Sequence, residues 1–262
     1  MNIKKNLKSK IYLFNSHALI FGVPVNAAPH IHHALQFSIG LEESFQLHNG
    51  QNQENMRAAL IGANVRHHFD NSSGFLVNLY LDAESRPARE IAETMKIRQH
   101  LKIELSDIEP FLPELRNGWE NTFSCREAFE LIENMLHNLF QTTKTAINFD
   151  PRIERALEIL KTAPDNLISA EEVAEAINLS SSRFAHLFRA EVGLPVRRYL
   201  LWRRLRNAVQ MLADGESLTT VAHAAGFADS AHLTRTFRQM FGIAPSEIFQ
   251  NSKFVQVSFC DE

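Results

Sequence analysis

The chain of 262 residues has only two cysteines, Cys125 and Cys260, far apart in sequence. Two isolated thiols do not make a disulfide framework, and nothing in that count calls for an oxidising compartment. An excess of charge of one sign is also lacking. The formal net charge is -3, with no global basic signature, so any nucleic-acid role must rest on where basic residues are placed. No uninterrupted apolar stretch of about 18 residues occurs, so no membrane-spanning helix is expected. No Ser/His/Asp order, CxxC pair or phosphate-cradling glycine loop is present, and catalysis is not expected.

What is there suits a globular chain of one or two domains: 45% hydrophobic and 22% charged residues can bury a core. The opening stretch "MNIKKNLKSKIYLFNSHALIFGVPV" has a basic cluster followed by apolar residues. Asn15, Ser16 and His17 interrupt that run and no small-residue cleavage site follows, so a cytoplasmic N-terminus is expected rather than a signal peptide.

Two compositions follow one another. Residues 11–14, 18–23, 35–41, 44–48, 57–65 and 75–81 are short apolar segments punctuated by glycine, the pattern of an antiparallel sandwich or barrel. Asn49-Gly50 suits a tight turn, because both residues tolerate positive φ. From Pro87 the period changes, and residues 84–101 and 124–141 are expected to be helical. The second carries Phe129, Ile132, Met135, Leu136, Leu139 and Phe140, a stripe that serves either an internal core or a dimer seam. Residues 142–150 lack periodicity and form the expected linker, with Asp150-Pro151 starting the next helix.

The last section, 151–250, contains itself twice. Residues 168–195 align with 217–245: Val173-Ala174 with Val221-Ala222, Phe184 with Leu233, Phe188 with Phe237, and Gly193 with Gly242. Each copy has a short helix, a tight turn and a second helix. Ser169 with Glu172 makes a capping box, and Ser217 caps the equivalent helix. Asn178 and Gly226 stand at matching turns where a left-handed residue is expected. This is the helix-turn-helix plan.

A recognition helix enters the major groove by its N-terminal end, and small polar residues there let the backbone approach. The expected base-facing set is therefore Ser230, Ala231, His232, Thr234 and Arg235 in the second unit, with Ser182, Arg183 and His186 in the first. Arg235 has the fork that matches guanine O6 and N7. Arg238 and Arg189 are placed for phosphates, which position the protein without reading sequence. Between the units, residues 195–213 form one helix carrying Leu201, Leu205, Val209 and Leu212 with five arginines. Its length of about 28 Å could hold two recognition helices near one DNA turn, ~34 Å, apart. Residues 151–250 hold 12 Lys and Arg against 11 Asp and Glu. The duplicated motif therefore carries the DNA reading, and net charge does not. The bland alternative is a helical domain with surface ion pairs.

The second copy, "VAHAAGFADSAHLTRTFRQMFGIAPSEI", resembles the signature of the AraC family of bacterial transcription regulators. The resemblance covers roughly 150–249 and implies sequence-specific binding of double-stranded DNA. In the first copy His186 stands where the family usually has arginine and Asn178 replaces the turn glycine, so the arginine contact does not carry over intact.

Residues 27–41, "APHIHHALQFSIGL", resemble the first motif of the cupin barrels that many AraC-family proteins carry as sensors. Metal-binding cupins use three histidines and a glutamate. Here His30, His32 and His67 match, while Gln36 takes the place nearest the glutamate, and Gly62 and Asn64 replace the proline-glycine before the last histidine. A neutral amide removes the anionic ligand, so no metal and no cofactor is expected. A small-molecule effector at His30, His32, Gln36 and His67 and a purely structural histidine cluster remain the alternatives.

The resemblance implies an α+β chain of two domains. The first is a cupin-like β-barrel sensor (1–83) with a helical dimerisation element (84–141). The second is an all-α DNA-binding domain (151–250) with two helix-turn-helix units joined by a long helix. It further implies a homodimer, an RNA polymerase partner and no membrane. The competing class is a cupin metalloprotein fused to a DNA-binding domain.

Overall fold

The computed structural model describes residues 9–14, 16–22, 28–49, 52–70, 74–96, 100–142, 149–162, 168–192, 195–241, 244–249 and 255–260. Two compact units result, residues 1–144 with 238–262 and residues 145–237. The chain is α+β as expected, sheet-rich in the first unit and helical in the second.

Among the described residues, ten strands build the first unit: β1 (Ser9–Leu13), β2 (His17–Gly22), β3 (Leu35–Gly40), β4 (Phe45–Asn49), β5 (Asn52–Met56), β6 (Ala58–Ile61), β7 (His68–Asp70), β8 (Leu76–Leu81), β9 (His100–Ile103) and β10 (Val255–Phe259). They form a seven-stranded sheet, β10-β1-β2-β8-β3-β6-β9, and a three-stranded sheet, β5-β4-β7. Neighbours pair antiparallel except β1 with β10, which run parallel. The strand β3 is central and buried at every position, whereas β2 alternates buried with half-buried residues.

Helices α1 (Arg86–Met95), α2 (Leu105–Ile108), α3 (Leu112–Glu120) and α4 (Cys125–Phe140) belong to the same unit. The α4 stripe is used internally: Ile132, Met135, Leu136 and Phe140 are core residues, and Phe129 and Leu139 pack against them. Ser124 opens α4 with a reciprocal capping box to Glu127. At the end of α3, the buried Lys10 ammonium donates to the carbonyls of Gly118, Trp119 and Asn121 at 3.0, 2.6 and 2.7 Å. A cation from β1 thus satisfies carbonyls that the helix leaves without partners.

Two expectations are corrected here. The helix expected over 84–101 stops at Met95, where Lys96 turns left-handed at φ 49°, and His100–Ile103 instead pairs with β6 as β9. The two cysteines are not isolated thiols: Cys125 and Cys260 are joined by a disulfide across 135 residues of sequence, with Cα atoms 5.4 Å apart. The reason lies in β10. The chain returns beside β1, and Cys260 N–H donates to the Leu13 carbonyl at 2.8 Å, which brings the last cysteine to the start of α4.

The second unit contains α5 (Pro151–Thr162), α6 (Ala170–Ala176), α7 (Ser181–Val192), α8 (Val196–Ala213), α9 (Leu218–Ala224) and the first part of α10 (Ser230–Phe241); α11 (Pro245–Phe249) follows in the first unit. Asp150 Oδ1 accepts from Arg152 N–H at 3.0 Å and Pro151 fills the first helical position, as the sequence suggests. The Ser169–Glu172 box forms, and Ser217 Oγ accepts from Thr220 N–H at 3.1 Å. The buried α8 stripe is Val196, Tyr199, Trp202, Leu205, Ala208 and Leu212; of the apolar residues named on this helix from the sequence, Leu205 and Leu212 are buried and Leu201 and Val209 are half-buried. Its dominant spacing of three rotates the stripe away from the aliphatic positions, towards the aromatic ones.

Candidate nucleic-acid interface and a buried histidine cluster

The pair α6–α7 forms one helix-turn-helix, and α9–α10 forms the other. Their turns are built alike. Asn178 has φ 56° and Gly226 has φ 74°. Leu179 N–H donates to Ala174 O at 2.9 Å, and Phe227 N–H donates to Ala222 O at 2.8 Å, closing both short helices with the same bond. Ser180 then accepts from Arg183 N–H, and Asp229 Oδ1 accepts from His232 N–H, to start the second helices.

This anchoring fixes which face is left over. Phe184, Phe188, Leu233 and Phe237 are buried. Ser182, Arg183, His186 and Arg189 are exposed on α7, and Ala231, Arg235 and Arg238 are exposed on α10. The side chains of Arg189 and Arg235 make no hydrogen bond or ion pair with any described residue. Ser230, His232 and Thr234 are half-buried and more constrained. Thr234 donates its hydroxyl to Ser230 O at 2.8 Å, leaving the oxygen as an acceptor. His232 packs edge-on against Phe227 and accepts from Ala228 N–H at 3.4 Å through Nδ1. Arg238 lies 3.5 Å from Glu247, a half-exposed pair that a phosphate would have to break.

The histidines form the second constellation. His30 and His67 exchange backbone hydrogen bonds at 3.0 and 3.1 Å, which sets their rings 4.5 Å apart. His32, two residues on, shares the inward face, while Ile31 between them is 41% exposed. Gln36 reaches the cluster from β3. All four side chains are buried. Each ring donates Nδ1–H to a main-chain carbonyl, of Ala28, Ala34 and Val65, at 3.0, 2.9 and 2.9 Å. A carbonyl only accepts, so Nδ1 carries the proton and Nε2 holds a bare lone pair. Burial, followed by the neighbouring rings, lowers the pKa of His32 to about 4 and of His67 to about 2. His30 is lowered by burial as well.

Gln36 Oε1 lies 2.7 Å from His32 Nε2 and 3.1 Å from His67 Nε2. Acceptors then face acceptors. Either a cation sits among them, or the amide turns end for end so that its NH2 donates to both rings. Behind Gln36 stand Ser38 and Asn78, linked at 2.7 Å, and the edge of Tyr80 meets the His32 ring. Sequence reasoning missed these three. Ser38 was open to a period-two argument on β3; Asn78 and Tyr80 are known only from the register of β8. The donor set fits a borderline divalent ion: three His ligand atoms lie within 4.8 Å of one another and each ring has the carbonyl partner that orients metal-bound imidazole. A neutral amide oxygen would be the fourth ligand.

A helix-turn-helix domain family model matches residues 173–251. The arabinose operon regulatory protein of Escherichia coli K12 is 29% identical over 135 residues, 49% of this chain and 45% of that protein. The transcriptional activator RhaS of Escherichia fergusonii is 34% identical over 104 residues, 39% of this chain and 37% of that protein. The C-terminal region carries an AraC-type helix-turn-helix domain. The matched stretch spans less than half the length of these relatives. Over the whole chain the likeness is one of fold. ToxT from Vibrio cholerae superimposes with a TM-score of 0.57 at 12% identity, covering 90% of this chain and 98% of that one. A ToxT structure with an unsaturated fatty acid bound has a TM-score of 0.53 at 13% identity, covering 92% of each chain. On α7 and α10 the exposed Arg189 and Arg235 lie away from the buried Phe184, Phe188, Leu233 and Phe237. Among the described residues no helix is long and apolar enough to cross a membrane.

Proposed function

We propose that this protein is a sequence-specific DNA-binding transcription regulator that works in the cytoplasm as a homodimer, contacts RNA polymerase and answers to an effector in its first unit. The observation that carries the reading is the unpartnered Arg235 on an exposed helix face whose opposite side, Leu233 and Phe237, is locked in the core. Arg235 reads a base edge with Ser230, Ala231, His232 and Thr234 around it; Ser182, Arg183 and His186 serve the first unit, and Arg189 and Arg238 hold phosphates. The rod α8 has 18 residues, about 27 Å, close to one DNA turn.

The test is selection of genomic fragments by the purified full-length protein at about 0.15 M salt. One motif spanning two major grooves, weakened by Arg235→Ala, is the expected result. Diffuse binding that Arg235→Ala leaves unchanged would remove the reading.

The convergent lone pairs favour a second reading of the sensor: a divalent transition metal at His30, His32, His67 and Gln36. Neutral imidazoles offer acceptors, which suits a cation and does not suit a carboxylate such as that of the fatty acid bound by ToxT. Zn2+ titration of the protein and of His32→Ala, followed by calorimetry, decides this. Equal weak binding by both would exclude the cluster.

A further inference from the structure

We propose that Cys125–Cys260 is a reversible redox latch that holds the C-terminal strand β10 on the sheet. The strand has five residues, lies at the edge of the sheet with β1 as its one strand neighbour among the described residues, and runs parallel to it. Its residues are only half-buried, and Phe259 is 38% exposed. An edge strand with one parallel partner and little buried surface is the kind of element that opens locally at low free energy. The disulfide is the covalent tie at its end, beside the Cys260 N–H bond to the Leu13 carbonyl, because Cys260 sits one residue beyond the strand.

The chemistry is thiol–disulfide exchange with the glutathione class of thiol. Cys125 is half-buried and Cys260 is 4% exposed, so an incoming thiolate attacks Sγ of Cys125. The S–S bond breaks, Cys260 leaves as thiolate and takes a proton, and a mixed disulfide remains on Cys125. A second thiol displaces Cys125, giving two protein thiols and one glutathione disulfide, a two-electron exchange. Cys125 is the first residue of α4, where the helix dipole stabilises its thiolate and so aids that second step and the reverse reaction. In a reducing compartment a disulfide of this kind is a sensor more readily than a staple.

The consequence for DNA rests on the function proposed above. The five residues between Phe249 of α11 and Val255 of β10 reach at most about 20 Å. A docked β10 therefore restrains α11, which follows the recognition helix α10 in the chain; reduction removes that restraint.

Hydrogen exchange of the full-length protein, oxidised by glutathione disulfide or reduced by dithiothreitol, tests the latch. Amides of 255–259 should exchange about tenfold faster or more after reduction and recover on reoxidation. Cys260→Ser should behave as the reduced protein in either buffer. Equal protection in both states, or two free thiols after oxidation, would overturn the proposal. Affinity for a selected DNA fragment, measured in the same two states, should differ at least about threefold. Equal affinity with a released strand would remove the coupling, and absence of specific binding in both states would count against the DNA reading while leaving the latch intact.

Discussion

Asn178 and Gly226 hold the same left-handed turn in the two helix-turn-helix units, at φ 56° and 74°. One copy uses the residue that tolerates this conformation, the other the residue that adopts it without strain. Asn178→Gly should leave stability unchanged or raise it slightly, whereas Gly226→Ala should cost about 1–2 kcal/mol. The chain has two tryptophans, Trp119 in the first unit and Trp202 in the second. Urea denaturation followed by Trp202 in a Trp119→Phe background reads the second unit alone. Equal midpoints for wild type and Gly226→Ala would refute the argument.

Arg235 and Arg189 should separate by the kind of loss they cause. Arg235→Ala should weaken the preferred site by about 1–3 kcal/mol and relax preference at one base pair. Arg189→Ala should weaken all sequences alike and lower the salt slope by about one. Binding isotherms on matched and mismatched duplexes over a salt series distinguish them. Identical profiles for the two variants would show that the placement is wrong.

The helix-turn-helix units were legible because their determinants are local. Ser169 with Glu172, Ser217, Asn178 and Gly226 each act within a few residues of themselves, and the repeat displays each determinant twice. The strands β1 to β4, β6 and β8 were legible for the same reason. Most of what was missed is long-range. The polar strand β5 is held by its partner β4 and has no apolar alternation of its own. The ladder of β9 depends on β6, and the disulfide depends on β10 returning beside β1. The histidine pair at 30 and 32 was visible from spacing, yet the proton positions that define its chemistry come from the carbonyls of Ala28, Ala34 and Val65, which spacing does not show.

Lys10 tests the idea that a buried cation closes α3. Replacing it by methionine keeps the stem and leaves three carbonyls without their donor. Loss of charge-assisted hydrogen bonds predicts a destabilisation of about 2 kcal/mol in the first unit, read through Trp119 in a Trp202→Phe background. Arginine should restore part of it. A Lys10→Met protein as stable as wild type would mean that water replaces the ammonium.

The histidine cluster makes stability depend on pH with a definite sign. Unfolded histidines protonate near 6.5, whereas His32 and His67 in the fold resist protonation down to about 4 and about 2. Above pH 6.5 both states hold the rings neutral, and their contribution is fully present. As the pH falls below 6.5 the unfolded chain binds protons that the fold refuses, so stability drops, until about pH 4 for His32 and further for His67. Between pH 7.5 and 5.5 the two groups together should remove about 2–3 kcal/mol. His67→Gln keeps a polar side chain of similar size and removes one titrating ring, so it should lose about half of that dependence. The difference between the wild-type and variant slopes cancels groups common to both. A divalent ion bound at Nε2 would use lone pairs that His32 and His67 keep unprotonated in the fold over this range, so saturating Zn2+ should raise wild-type stability by a similar amount at pH 7.5 and 5.5. Parallel slopes for wild type and His67→Gln would show that water reaches these rings and that the cluster takes up protons as exposed histidines do.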